Sequence, residues 1–231
     1  PKSYAADFLQ YCKNNPKPCP LIGMSAPGDT AIPGLGDIDM SRDIPRYRVF
    51  QNGEAVEDVD DISTLWRDDL VSFVMGCSFT FEEALMREGF EVRHIARDQN
   101  VGMYDTSIQT VPGGIFQGPV VVTMRPYKAA DIPAVYDICA RYPQAHGAPL
   151  YWGDPAKIGI TDLGRPDYGD PAELKSDEVP VFWACGVTTQ AALIAARPDF
   201  CITHAPGHML VTDRRSGETV GNVTGMAALA A

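Results

Sequence analysis

The spacing of apolar positions divides the chain into short elements of both kinds. Tyr4, Phe8, Leu9, Tyr11 and Cys12 form a stripe at helical spacing. This predicts a helix capped by Ser3 and running to about Asn14, before Pro16, Pro18 and Pro20 stop it. The stretch from Ser25 to Asp43 is rich in Gly, Pro and Asp and reads as a long loop, a length more common in lids and binding loops than in simple connections. Tyr47 to Val59, turning at Asn52-Gly53, reads as a hairpin.

Two later segments share one plan. Phe73-Val74-Met75 predicts a buried strand, Gly76-Cys77-Ser78 a turn, and Thr80-Phe81-Glu82-Glu83 a capping box opening a helix that ends at Gly89. Val181-Phe182-Trp183, Ala184-Cys185-Gly186 and a helix capped by Thr188 repeat it. Strand-turn-helix units of this kind usually share a parallel sheet, with ligands in the crevice at the strands' carboxyl ends. Between them lie a strand at Val120–Met124, a helix capped by Asp131, and a candidate strand at Pro149–Trp152. The expectation is an α/β chain in which residues 118–179 form a smaller α+β domain inserted into a larger one made of 1–117 and 180–231. Beyond Gly221 the sequence is a small-residue tail.

Composition narrows the function classes. Over 231 residues the formal net charge is −11, which opposes nucleic-acid binding because that requires basic surface to displace counterions. No apolar run reaches the roughly 18 residues of a membrane helix, and no charged head with an apolar segment follows Pro1, so a cytoplasmic protein without a membrane partner is expected. The six cysteines show neither CxxC pairs nor a disulfide framework, and reduced thiols follow. An acidic chain binds an anion only where arginines or helix N-termini reverse the local field. Self-association as a homo-oligomer is expected on general grounds for an acidic small-molecule enzyme of this size.

A set of strings covers almost the whole chain to about Asp213. They include Asn15-Pro16-Lys17-Pro18-Cys19-Pro20-Leu21, Pro45-Arg46-Tyr47-Arg48-Val49, Gly76-Cys77-Ser78-Phe79-Thr80-Phe81-Glu82, Met124-Arg125-Pro126, His146-Gly147-Ala148-Pro149, Val181–Thr188 and Thr203-His204-Ala205-Pro206-Gly207-His208-Met209. In this order they resemble the YcsI-like hydro-lyase family (DUF1445), which is related to D-glutamate cyclase. The sequence opens some way inside that family's pattern. The resemblance implies a three-layer α/β domain with a smaller α+β one, and a carbon–oxygen lyase that eliminates water from a small amino or hydroxy acid. Closure of D-glutamate to 5-oxo-D-proline is the related reaction.

Several residues are candidates for that chemistry. Cys77 and Cys185 each precede a predicted helix N-terminus, where free N–H groups and the dipole favour an anion and lower a thiol pKa; the alternative is that both are small apolar fillers. Ser78, Thr80, Gly186 and Thr188 would supply the surrounding donors. His204 and His208 bracket Ala205-Pro206-Gly207, whose Pro and Gly oppose a helix, so the pair reads as a loop acid and base rather than a helical metal pair. His146, at another turn, joins them as a catalytic candidate or serves as an ordinary helix-end histidine. Arg46, Arg48 and Arg125 are candidate carboxylate clamps or members of ion pairs. His94 is expected within a strand in a structural role, Arg67 in an ion pair with the acids beside it, and Glu82 as a complement to the helix dipole.

No dinucleotide fingerprint, phosphate loop or nucleophile elbow is present, so cofactor-free and metal-free acid–base chemistry on a small-molecule carboxylate is expected. Two rivals remain open: a non-catalytic module binding an amino acid, and a metal-dependent hydrolase using His146, His204 and His208. The first reading requires the His204 loop and the turns at Cys77 and Cys185 to meet in one pocket.

Overall fold

A computed structural model describes residues 1–213 of the chain, and the expected small-residue tail lies outside them. The chain mixes helices and sheets, as the sequence predicts. Helix α1 (Lys2–Asn14) opens it. Strands β1 (Leu21–Met24), β2 (Tyr47–Gln51), β3 (Glu54–Val59) and β4 (Phe73–Met75) follow, then α2 (Phe79–Arg87) and the one-turn α3 (Arg93–Ala96). Next come β5 (Met103–Gln109), β6 (Pro119–Lys128), α4 (Ile132–Ala140), β7 (Tyr151–Trp152), β8 (Glu178–Ala184), α5 (Val187–Ala196) and β9 (Phe200–His204).

The strands form a β1-β4 pair, a β3-β2-β9 sheet and a β5-β6-β8-β7 sheet, and every pairing among them is antiparallel. The expected shared parallel sheet is therefore not formed. The two strand-turn-helix units place β4 and β8 in different sheets, and each helix packs away without returning the chain to a parallel neighbour. Residues 118–179 contribute β6 and β7 to the four-stranded sheet, while β5 precedes that segment and β8 closes it.

Strand alternation decides what each face of that sheet buries. From β6 and β8, Tyr127, Val181 and Trp183 pack with Phe81, Leu85, Val135 and Ile138 of α2 and α4. The opposite face carries Val122, Met124 and Phe182 against Tyr104, Ile158 and Ile160. Covered on both sides, β6 is buried from Val120 to Tyr127. The long loop between β1 and β2 has no regular element, yet Ile32, Leu35 and Met40 bury against Tyr47 and Ile62 and hold it down.

Helix starts differ from expectation at the caps. Ser3 lies inside α1, α2 begins after Ser78 rather than Thr80, and α5 begins after Gly186 rather than Thr188. Asp131 does stand before α4 but makes no side-chain capping bond. Thr188 fails as a cap because its hydroxyl is taken by the backbone of Val121, accepting from its N–H at 3.0 Å. His94 lies in α3 and not in a strand.

Candidate active site

The three segments singled out in the sequence do meet. A cavity of about 490 Å³ has in its wall Gly76, Cys77 and Ser78 from the first turn, Cys185 and Gly186 from the second, and His204, Pro206 and Gly207 from the loop after β9. Strand ends deliver all three. β4 ends at Met75 and β8 at Ala184, so each cysteine stands just before the first turn of a helix, α2 or α5. The first-turn N–H groups of a helix have no partner within it, and the aligned peptide dipoles place partial positive charge there. Among the described residues no Asp, Glu, Lys or Arg side chain lines the cavity, so these two helix ends supply positive potential that those side chains of the wall do not.

Both thiols sit beside those ends. The Phe79 N–H favours the charged form of Cys77, and the N–H groups of Val187 and Gly186 favour that of Cys185. Each also touches a thioether: Cys77 lies 3.7 Å from Met209 Sδ and Cys185 3.8 Å from Met103 Sδ. The expected lowering of thiol pKa does not prevail. Burial pushes the Cys77 thiol up and Cys185 up to about 12, outweighing the N–H donors.

The histidine loop divides at its glycine. His204 is in the wall; its Nδ1 lies 2.9 Å from the Ala205 carbonyl, and burial lowers its pKa. Donation from Nδ1–H leaves Nε2 as a bare acceptor on the neutral ring. His208 lies beyond Gly207, which has a φ of 78°; it is exposed, sits outside the wall and pairs Nδ1 with the Pro206 carbonyl. His146 is also in the wall. It is only 2% exposed, adopts a φ of 71°, and places Nδ1 2.9 Å from the Lys17 carbonyl. Burial brings its pKa down to about 4, so this ring too is neutral. Among the described residues, no group of three His, Cys, Asp or Glu side chains is placed to hold a metal ion.

The arginines are occupied elsewhere. Tyr47 of β2 faces the cavity, so strand alternation turns Arg46 and Arg48 away from it. They pair across the hairpin, Arg46 Nε with Asp60 at 3.2 Å and Arg48 bidentately with Asp58 at 2.8 Å. Arg125 is 1% exposed and lies behind the wall. Its Nε and Nη2 donate to Glu82 Oε1, its Nη1 to Thr123 Oγ1 at 2.9 Å and its Nη2 to Ser78 Oγ at 3.1 Å. The guanidinium also lies 5.3 Å from the Phe81 ring centroid and 5.2 Å from that of Trp183. Of the expected donors, Ser78 and Gly186 line the cavity, while Thr80 and Thr188 do not.

Glu82 does more than complement a dipole. It is 3% exposed, it is the counter-charge of Arg125, and His94 Nε2 lies 3.2 Å from its Oε1 without hydrogen-bond alignment. Burial alone would raise this carboxyl, but Arg125 and His94 together hold it below the usual range. The sequence carried a signal for this pair, since Arg125 interrupts an apolar strand and Glu82 shares a helix face with Leu85. Thr123, Thr189 and Gln190 also line the cavity and were not singled out from the sequence.

Residues 71–213 match the family described as D-glutamate cyclase. The chain belongs to that family. A protein of Bordetella pertussis (strain Tohama I), which carries the name "Putative hydro-lyase", is 58% identical over 214 residues, covering 92% of this chain and 77% of its own length. A protein of Verminephrobacter eiseniae with the same name is 56% identical, covering 92% of this chain and 78% of its own length. A Bradyrhizobium relative, again so named, is 55% identical over 217 residues, covering 94% and 80% respectively. The matched segment contains Cys77, His146, Cys185 and His204 of the cavity wall and Arg125 behind it, while the part of the wall from α1, from Tyr47 and from the loops before Val71 lies outside the match.

Proposed function

We propose that this enzyme removes water from a small amino or hydroxy acid, with closure of D-glutamate to 5-oxo-D-proline as its specific case. The observation that carries the reading is the convergence of two helix N-termini and the neutral His204 on one cavity whose described wall has no Asp, Glu, Lys or Arg side chain. A substrate carboxylate lodges at the N-termini of α2 and α5, where N–H groups and Ser78, backed by Arg125, offset its charge. His204 takes a proton at Nε2 and returns it to the departing oxygen, acting first as base and then as acid. In cyclisation that proton comes from the substrate amine as the carbon–nitrogen bond forms. In a simple dehydration it comes from carbon.

The test is incubation with a panel of amino and hydroxy acids, D-glutamate included, followed by mass spectrometry. A product lighter by one water is expected from at least one panel member and is absent with His204→Gln. If substrates bind but none loses water, the protein is a binding module and the catalytic reading falls.

A further inference from the structure

We propose that Cys77 and Cys185 form a two-thiol proton-exchange pair that inverts the α-carbon of an amino-acid carboxylate lodged between α2 and α5. This rests on the carboxylate placement proposed above but asks for a different outcome at carbon. The two cysteines occupy equivalent positions in two separate units, each two residues before the first residue of its helix, and both line one cavity. Both lie beside N–H groups at a helix start, which favour a thiolate but are outweighed by burial, and Cys77 lies near enough to push the Cys185 thiol further up. Burial keeps both thiols protonated at rest and mutual repulsion opposes a second charge, so the active form is the minor one in which a single thiolate faces a single thiol.

A second feature marks the wall as ligand-facing. His146 is buried, lines the same cavity and has Nδ1 committed to the Lys17 carbonyl, while its Nε2 has no hydrogen-bond partner among the described residues. Such a lone pair accepts from the ammonium or hydroxyl next to a carboxylate. Substrate would thus be held at two points, with the α-carbon between the sulfurs.

The step balances without any co-reactant. The thiolate takes the α-proton as the carbon–hydrogen bond breaks, and the electron pair moves into the carboxylate, where the helix N–H groups receive the added charge. The opposite thiol gives its proton to the other face of the carbon as the pair returns. The products are the mirror-image amino acid and the same two sulfurs with their protonation exchanged.

The experiment is incubation of the protein in deuterium oxide with D-glutamate, L-glutamate and the two enantiomers of 5-oxoproline. It is read by proton NMR for α-deuterium and by chiral chromatography for inversion. The parent is expected to place deuterium at the α-carbon and to interconvert enantiomers. Cys77→Ser and Cys185→Ser should each reduce inversion by about 10²-fold or more, each retaining exchange from only the enantiomer that its remaining cysteine faces. Melting temperatures, with Cys→Ala variants beside them, establish that both variants fold. Absence of α-deuterium from all four probes with the parent protein, or undiminished inversion in both folded variants, overturns the proposal. Water loss is read separately by mass, so exchange can fail while dehydration stands, and the reverse.

Discussion

Arg125 Nη2 donates to Ser78 Oγ at 3.1 Å, which puts a buried guanidinium directly behind a hydroxyl of the cavity wall. The sequence suggests Arg125 as a carboxylate clamp, and the structure makes it a support instead. Its charge is shared with Glu82 and reaches a ligand only through Ser78 and Thr123. Breaking a buried pair by removing one partner leaves an uncompensated charge and typically costs about 3–5 kcal/mol, whereas replacing both can be neutral. Arg125→Met should therefore lower stability by about that amount in urea unfolding, and Glu82→Leu combined with Arg125→Met should recover much of it. A double variant no more stable than the single one would show that the pair does not act as a unit.

His146 gives a pH dependence of defined sign. Its ring loses solvent on burial and its pKa falls from 6.5 to about 4. Between those values the unfolded chain binds a proton that the folded chain does not, so stability declines as pH drops through the window and is level above it. The whole effect is about 3 kcal/mol. His146→Asn keeps a donor for the Lys17 carbonyl but cannot titrate. Urea midpoints from pH 7 to pH 4 should fall less steeply for this variant than for the parent, and parallel curves would remove His146 from the account.

The sequence made the site more legible than the sheet. Strand-turn-helix patterns at Cys77 and Cys185 are local, set by three or four residues each, and both formed where the pattern placed them. The direction of strand pairing is not local. β4 pairs with β1 and β8 with β6 and β7, partners that periodicity within β4 or β8 cannot name. A cap was misplaced for a similar reason: Thr188 looks like a free capping side chain until a tertiary partner, Val121, claims its hydroxyl. The fate of the thiols also needed three dimensions, because a helix N-terminus lowers a pKa and burial raises it, and only the structure shows that burial is the larger effect.

Gly76 sets the position of Cys77. A Cβ at this residue would lie 1.6 Å from the Gln144 carbonyl oxygen, a backbone atom that cannot swing aside. Gly76→Ala must push the turn away from the segment that carries His146, so it should lower stability by about 1–3 kcal/mol or more. It should also impair activity beyond what unfolding explains. By contrast, Gly186 meets nothing within 4 Å in the same test. Gly186→Ala is therefore expected to keep near-parental stability, and equal losses in the two variants by calorimetry would contradict the crowding argument.

The last expectation separates two histidines that the sequence treats as a pair. His204 and His208 are four residues apart, but Pro206 and the left-handed Gly207 turn the chain between them. His204 is drawn into the cavity wall and His208 is left in solvent. A proton-transfer group must reach the reacting atom, and only His204 is placed to do so. His204→Gln should lower water-loss turnover by about 10²- to 10⁴-fold while the melting temperature stays near the parent's, because the ring's one bond is to the neighbouring Ala205 carbonyl. His208→Gln should leave both turnover and melting temperature near parental values, since its ring bonds only the Pro206 carbonyl at the surface. Steady-state rates and thermal unfolding on the two purified variants decide the matter. Comparable loss of turnover in His208→Gln would mean that the loop rearranges on binding to bring that ring inward, and full turnover in His204→Gln would remove this loop from the chemistry.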